Sequence, residues 1–471
     1  MKTVSYSSFY PISLNEIINK VNRKKRARAN REQYDLFKHK PLNNVKKIKN
    51  NFNETIIRVD GEIPPNLPVK NENRFLFISY DQTILTHGLH KYPAKFFPEL
   101  PRWLIQRYSN KNSLILDPFS GSGTTNIEAL LNRRNSIGID VDPFSRFISK
   151  VKTTPLNIRN LTKAKEIIIR SVLNYNSDKL DGLTLPDFPY RDNWFNKEIL
   201  FELAYLKRNI FSLKCSNDIK NFFLVCLSSI IRGVSNADDN CTRTVIRKKL
   251  NKQVFPADAL KKFTETVLTN YPKMVEFSKI HVNGNYANFP DNMDARHIDF
   301  ENNVFDFAVT SPPYANAVDY PRTHQLESYW LGLAKGSLTP LKRKHVGTES
   351  VLFKDYKNYN KIGIDIADKV MHKIYNKDPR RAYICYKYLS DMRTNLKEVY
   401  RVLKKNGRYA LVVGNNKIRG ELFENWKYIM KDAVQIGYKI ENYFGSEIIK
   451  HFIKAPRTER INTDWVLILR K

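Results

Sequence analysis

The order of apolar and polar positions divides the chain into an α/β framework interrupted by two stretches of another kind. LILD, Leu114 to Asp117, is a short apolar run. A glycine-rich turn follows, and then TTNIEALLNRR, whose apolar residues recur at helical spacing. A second apolar run, SIGID, ends at Asp140. Strand, loop, helix, strand is half of a doubly wound α/β unit. From 156 to 285 the period changes, because FNKEILFELAYLKRNIF and DIKNFFLVCLSSIIRGV carry apolar residues three and four apart. That spacing predicts a mainly helical insertion. The α/β pattern resumes with ARHIDF and VFDFAV over 286–334, and a second, polar insertion covers 335–385. The core closes over 386–471 with LKEVYRVLKKNGRYALVVGN, read as helix, turn at Asn406-Gly407 and strand, and with two last strands in YKIENYFG and DWVLILRK. The first core segment is placed at 75–155, and residues 1–74, which contain KVNRKKRARANREQYDLFKHK, read as a basic, weakly structured arm.

Charge adds a partner to this outline. Lys and Arg total 79 against 47 Asp and Glu, a formal net charge of +32 over 471 residues. So large an excess points to a polyanion, most simply nucleic acid. With 42% hydrophobic residues the chain can bury a substantial core, which excludes wholesale disorder. No apolar run reaches the roughly 18 residues of a membrane span, and the first residues lack the apolar segment of a secretory signal. The expected setting is therefore cytoplasmic (nucleoid-associated in a bacterium), with no membrane partner. Cys215, Cys226, Cys241 and Cys385 form no CxxC pair, so neither a metal site nor a disulfide framework is expected.

DPFSGSGTT, Asp117 to Thr125, sits where an open α/β sheet binds ligands, at the carboxyl end of a strand. A phosphate-binding P-loop needs Gly-Lys-Ser/Thr, which is missing, and Asn126 stands where a dinucleotide fingerprint has its third glycine. An ordinary strand-helix turn is the plain alternative. Asp140, ending the next strand, is placed to accept from both hydroxyls of a ribose. Asp294, in DARH, suits an adenine amino group. A nucleoside cofactor without phosphates fits this set.

Together DPFSGSGTT, GIDVDP, DAR and TSPPY resemble the S-adenosylmethionine-dependent amino methyltransferases that act on DNA. HKYPAKFFPELP, His90 to Pro101, resembles the segment those enzymes carry before the glycine loop. The resemblance covers about 75–150 and 290–471. It implies an α/β, Rossmann-like class I methyltransferase fold with a mostly parallel twisted sheet. It further implies S-adenosylmethionine as cofactor, with Asp117, Phe119, Gly121, Gly123 and Thr124 lining it, Lys95 and Phe96 at its methionine end, Asp140 at the ribose and Asp294 at the adenine.

TSPPY then acquires a role. An exocyclic amine on a base is a poor nucleophile, because its lone pair is conjugated with the ring. Acceptors for its two hydrogens, Ser311 Oγ and the Pro312 carbonyl, would draw that pair out, and Pro312 and Pro313 would hold them still. Tyr314 would stack on a base flipped out of the duplex. Carbon methylation needs a cysteine nucleophile, usually after a proline, and the chain has no Pro-Cys. In the family, serine at the head of this motif accompanies cytosine N4 more often than adenine N6. The expected enzyme is a site-specific cytosine-N4 methyltransferase on double-stranded DNA, paired with a separate restriction endonuclease. Adenine N6, RNA as substrate, and an inactive DNA-binding scaffold stay open. Phosphates and base edges are assigned to Arg232, Arg243, Arg247, Lys248 and Lys249 in the tail of the helical insertion, and to Lys342 and Arg343 in the second insertion. Lys454, Arg457 and Arg460 are further backbone candidates. His297 and His324 are read as structural.

Overall fold

The computed structural model describes residues 13–29, 44–49, 53–79, 81–178, 180–247, 249, 251–280, 284–315, 318–448 and 462–471. Its first elements are helix α1 (Leu14–Ala29), strands β1 (Val45–Lys49), β2 (Thr55–Asp60) and β3 (Arg74–Ile78), and helix α2 (Glu99–Tyr108). The expected strand-loop-helix-strand unit follows as β4 (Leu114–Asp117), α3 (Thr124–Leu131) and β5 (Asn135–Gly138), with α4 (Pro143–Thr153) behind it. The helical insertion is α5 (Ile158–Leu173), α6 (Arg191–Trp194), α7 (Lys197–Ser212), α8 (Asn217–Ile231) and α9 (Asp258–Ile280). Next come β6 (Ala287–Asn288), β7 (Phe305–Thr310), α10 (Tyr320–Thr323), α11 (Gln325–Leu331), α12 (Thr339–Lys344), α13 (Asp365–Lys377) and α14 (Pro379–Val402). The chain ends with β8 (Leu403–Gly414), the small hairpin β9 (Asn416–Ile418) and β10 (Glu421–Phe423), α15 (Asn425–Ile436), β11 (Lys439–Glu447) and β12 (Thr463–Arg470).

Ten strands form one sheet in the order β1-β2-β3-β11-β12-β8-β7-β4-β5-β6. From β8 to β6 every pairing is parallel, and β12 is antiparallel to both its neighbours, β8 and β11. This is the α/β, Rossmann-like architecture the sequence implies. The strands read as unbroken apolar runs because both faces are covered. Successive side chains point to opposite faces. Ile115, Phe307, Val309, Ala410, Val412 and Ile468 therefore share one core with Leu100, Trp103 and Leu104 of α2. Leu116, Ala308, Leu411, Val413 and Leu469 share the other with Met371, Ile374, Leu389, Leu396 and Ile429 of α13, α14 and α15. A third core joins Ile127, Phe144 and Ile148 of α3 and α4 to the apolar faces of α5, α7, α8 and α9.

Three segments depart from the sequence reading. Inside the basic arm, 45–60 is not weakly structured: β1 and β2 pair with each other, β2 pairs with β3, and β3 pairs with β11. Ile56 and Val59 of TIIRVD are buried, an alternation masked by the surrounding lysines. ARHIDF forms no strand and contributes only a bridge between Asp294 and His297. The second insertion is not polar throughout, since α14 begins at 379 and, with α13, buries Ala367, Met371, Ile374, Ala382 and Cys385.

One buried charge cluster ties α2 to α3. Glu128, fully buried, accepts from Arg102 Nε at 2.7 Å, Arg102 Nη2 at 3.0 Å and His87 Nε2 at 2.8 Å. Burial alone would raise this carboxyl, but the Arg102 charge and the bonds from His87 and Arg102 hold it at about 2. A carboxyl depressed in this way stabilises the fold above its unfolded value and loses that contribution as pH falls through about 2. Replacing Glu128 with alanine removes two carboxylate bonds from the buried Arg102 guanidinium and leaves it the more exposed Glu62. Urea unfolding at pH 7 is expected to show a loss of about 3–5 kcal/mol, and a loss below 1 kcal/mol, about that of an exposed pair, would contradict it.

Candidate functional site

The strand order reverses at β4, whose neighbours β5 and β7 are reached by chain running in opposite directions across the sheet. Crevices at such a switch point bind ligands, because the loops after the two strands part there. A cleft of about 790 Å³ opens at this place. Lys95, Phe96, Asp117, Phe119, Gly121, Thr124, Asp140, Asp294, Ser311 and Pro313 border it. Gly123, Pro312 and Tyr314 are not in its wall.

Asp117 is buried, and its Oδ1 accepts from the Phe119 N–H at 3.1 Å and from Thr310 Oγ1 at 2.6 Å. Burial pushes this carboxyl up to about 6, against those bonds. Thr310 is the last residue of β7, so the bond joins the glycine loop to the residue before Ser311. Gly121 has φ +48, and a Cβ there would meet only the Tyr92 ring, at 3.6 to 3.9 Å. Gly123, at φ +77, lies against a helix and not in the cleft wall. A Cβ there would stand 2.9 Å from the Ser149 side chain, so this glycine lets the start of α3 lie on α4.

Asp140 lies half-buried at the cleft and accepts from the Gly121 N–H at 3.0 Å and the Asp142 N–H at 2.8 Å. Burial, helped by the Asp142 charge, pushes it up to about 7. Asp142 caps α4 through the Phe144 N–H at 2.9 Å. Burial would raise Asp142 too, but His345, 3.8 Å away, holds it below the usual range. Asp294 is gripped by the Arg296 fork, Nε at 2.9 Å and Nη2 at 2.6 Å. That grip outweighs burial and keeps Asp294 ionised. Lys95 turns its ammonium to the Gln82 and His87 carbonyls, and burial, with Lys273 nearby, lowers it to about 8. Ser120 Oγ is buried in the cleft wall and has no hydrogen-bond partner among the described residues. The glycine opening and this free hydroxyl suit a polar ligand that approaches the backbone closely. The donor set therefore fits a nucleoside cofactor.

The sequence reading missed several residues in the wall. Tyr92, in the pre-loop segment, stacks on Tyr320 at 5.7 Å and on His324 at 5.0 Å. Tyr320 follows the SPPY motif closely, which was the available signal. Lys344, His345 and Val346 reach the cleft from the end of α12, in the same basic KRKHVGTES segment as Lys342 and Arg343. Arg296 Nη2 holds the Lys344 carbonyl at 2.7 Å, so this segment is tied to Asp294 on one side and Asp142 on the other. His324 is buried in the ring stack, consistent with a structural role.

Of the residues assigned to DNA, Arg232 does not fit. Its guanidinium donates to the carbonyls of Asp238, Cys241 and Thr242 and shapes the loop beneath the basic tail. Arg243, Arg247 and Lys249 are exposed, Arg243 lying 3.8 Å from Glu349 and Arg247 3.3 Å from Asp238. Thr244 Oγ1 donates to the Thr323 carbonyl at 2.8 Å, which fastens this tail beside Tyr320. Arg343 is exposed, and Lys342 pairs with Asp319 at 3.0 Å. Lys248, Lys454, Arg457 and Arg460 lie outside the described residues.

A family model described as DNA methylase matches residues 3–150, and one described as RMKL-like, methyltransferase domain, matches 91–275. The chain is similar to the type II methyltransferase M.MvaI of Kocuria varians, 28% identical over 374 residues, which span 74% of this chain and 82% of that protein. It is similar to the type II methyltransferase M.MjaII of Methanocaldococcus jannaschii, 24% identical over 52% of this chain and 62% of that one. Among solved structures, a SAM-dependent methyltransferase from Methanosarcina mazei aligns over 81% of this chain and 98% of its own, at 12% identity and a TM-score of 0.29. That likeness is too slight to bear on function.

The packing of Gly123 against Ser149 can be tested directly. Gly123→Ala is expected to destabilise the fold by about 1–2 kcal/mol from its left-handed backbone, plus repacking of Ser149. Thermal melting without cofactor reads it, and an unchanged melting temperature would return Gly123 to the cofactor wall.

Proposed function

We propose that this chain, an S-adenosylmethionine-dependent DNA amino methyltransferase, methylates the exocyclic N4 amine of cytosine in a base flipped out of the duplex. The observation that carries the reading is the meeting of the glycine loop with Ser311 and Pro313 at one cleft, joined by the Asp117–Thr310 bond. The cofactor, when bound, supplies an activated methyl on a sulfonium. Everything else asked of the site falls to the chain. Asp140 accepts from the ribose hydroxyls, Ser120 and the Gly121 opening take the close approach, and Phe119 packs beside the base of the nucleoside.

On the substrate side, Ser311 Oγ and the Pro312 carbonyl accept the two amine hydrogens. The prolines keep both acceptors fixed, so no reorganisation is needed as the nitrogen becomes nucleophilic. Tyr314 gives the extruded base an aromatic partner. Arg243, Arg247, Lys249, Lys342 and Arg343 face the phosphates from the two insertions on either side of Tyr320. The serine heading the motif favours cytosine N4 over adenine N6, the alternative target. Likeness to type II methyltransferases supports a role beside a restriction endonuclease acting as a separate protein.

Product analysis tests the reading. The protein is incubated with unmethylated genomic DNA and methyl-labelled cofactor, and the digested nucleosides are identified by mass spectrometry. N4-methylcytosine is expected. N6-methyladenine would transfer the same mechanism to the alternative target, and no labelled nucleoside would end the proposal.

Asp140 gives a second check, with a defined sign. Its carboxyl titrates at about 7, and only the ionised form accepts from both hydroxyls. A proton competes with the ribose, so affinity is expected to rise with pH up to about 7 and then level off. Below that point each pH unit costs up to about tenfold. Calorimetry on Asp140→Asn should show weaker binding without this slope.

A further inference from the structure

We infer that Asp464 is a positioning residue for Tyr314, holding the ring at the angle the flipped base meets. The inference rests on the amino methyltransferase reading of Ser311 to Tyr314. Tyr314 lies beyond the end of β7, yet its hydroxyl is bonded two strands away. Its Oη donates to Asp464 Oδ1 at 2.7 Å. Between them lies the end of β8, where Gly414 pairs with Asp464 across the antiparallel ladder.

Gly414 explains how the ring fits. Its φ is not in the left-handed region, so backbone freedom is not why a glycine stands here. Space is the reason. A Cβ at Gly414 would stand 2.7 Å from Asp464 Oδ1 and 2.7 and 2.9 Å from two atoms of the Tyr314 ring. Any other residue would push both the ring and the carboxylate away. The strand end is itself fixed, since Asn425 Nδ2 donates to the Gly414 carbonyl at 2.7 Å and to Asn416 Oδ1 at 2.8 Å. Three separate segments thus converge on one tyrosine.

The carboxylate does this at neutral pH. Burial raises Asp464 to about 6, which leaves it ionised at pH 7 to 8 and able to accept a charge-assisted bond. Glu447, on the adjacent strand, adds to that rise and is itself held by Arg74 Nε at 2.7 Å and Thr463 Oγ1 at 3.0 Å. Neither Asp464 nor Gly414 borders the cofactor cleft. A tyrosine ring otherwise turns about two torsions, and a tether at its hydroxyl removes that freedom before DNA arrives.

A double-mutant cycle tests this with kcat on duplex DNA and the cofactor Kd read together. Asp464→Ala and Tyr314→Phe are each expected to lower kcat about tenfold, and the double variant about tenfold rather than a hundredfold. The cofactor Kd should stay within about twofold, because the tether lies outside that cleft. Asp464→Asn, which keeps an acceptor oxygen, should recover most of the rate. Full kcat in Asp464→Ala, multiplicative losses in the double variant, or a parallel loss of cofactor binding would each overturn the inference. Should Asp464→Ala not fold, Tyr314→Phe cuts the same tether with the ring retained, and wild-type kcat there overturns it equally. A wild-type protein that binds cofactor and methylates no DNA defeats the functional reading itself, and this inference with it.

Discussion

The hydrogen bond from Thr310 Oγ1 to Asp117 Oδ1 joins the two strand ends on which the site is built. It forms because β4 and β7 are parallel neighbours, with Leu116 beside Ala308, so their last residues arrive side by side. One residue past Thr310 comes Ser311. Two residues past Asp117 comes the Phe119 N–H, bonded to the same carboxylate oxygen. The cofactor loop and the motif loop thus share one anchor and cannot drift separately. In the proposed reaction, methyl transfer is steeply sensitive to the distance between the reacting atoms, and an anchor between the two loops would help to set it. The cost is a buried carboxyl whose protonation is made easier, offset by two donors aimed at it.

The insertions are built outward from this anchor. Tyr92 from the pre-loop segment, Tyr320 and His324 from the turn after the motif and Phe144 from α4 form a continuous aromatic stack. The stack joins the pre-loop segment and α4 to the turn after the motif, and Thr244 hangs the basic tail of the helical insertion from the same turn. The second insertion closes the opposite side, tied by Arg296 to Asp294 and by His345 to Asp142. The two insertions meet at Glu349, which pairs with Arg381 at 2.6 Å and lies 3.8 Å from Arg243. Exposed pairs of this kind add little stability, but they define where two mobile side chains rest.

How much of this was legible depends on whether the signal was local. DPFSGSGTT and Asp140 could be read because strand, turn and carboxylate lie within a few residues of one another, and the structure gathers them at one cleft. Gly121 and Gly123 could not be told apart, since spacing does not reveal which glycine borders the cleft and which lies against a helix. Arg232 looked like its basic neighbours, and only the folded loop shows its guanidinium committed to carbonyls. TIIRVD alternates as a strand should, but VKKIK beside it made the segment look like a solvated arm. Lys344 to Val346 reach the cleft through the path of a whole insertion, which no short window contains. Gly414 is the sharpest case. Its reason for being glycine lies in two side chains 100 and 50 residues away along the chain, Tyr314 and Asp464.

Electrostatics show why these parts must be kept distinct. The cleft gathers Asp117, Asp140 and Asp294, with Asp142 just behind, in a chain whose net charge is +32. Left bare, four carboxylates so close would repel the phosphates proposed to lie at the exposed Arg243, Arg247, Lys249 and Arg343. The structure compensates them one at a time. Asp294 is neutralised by Arg296, Asp142 faces His345, and Asp117 takes a hydroxyl and a backbone N–H. Asp140 is satisfied only by backbone N–H groups and by being pushed towards the neutral form. Of the two carboxylates held by neutral donors, Asp117 and Asp140, Asp140 is the one proposed for the cofactor's ribose. The partners that silence the others, Arg296 and His345, also fasten the segment from Lys344 to Val346 over the cleft. The pairing that compensates acidic charge thus also shapes the cleft wall.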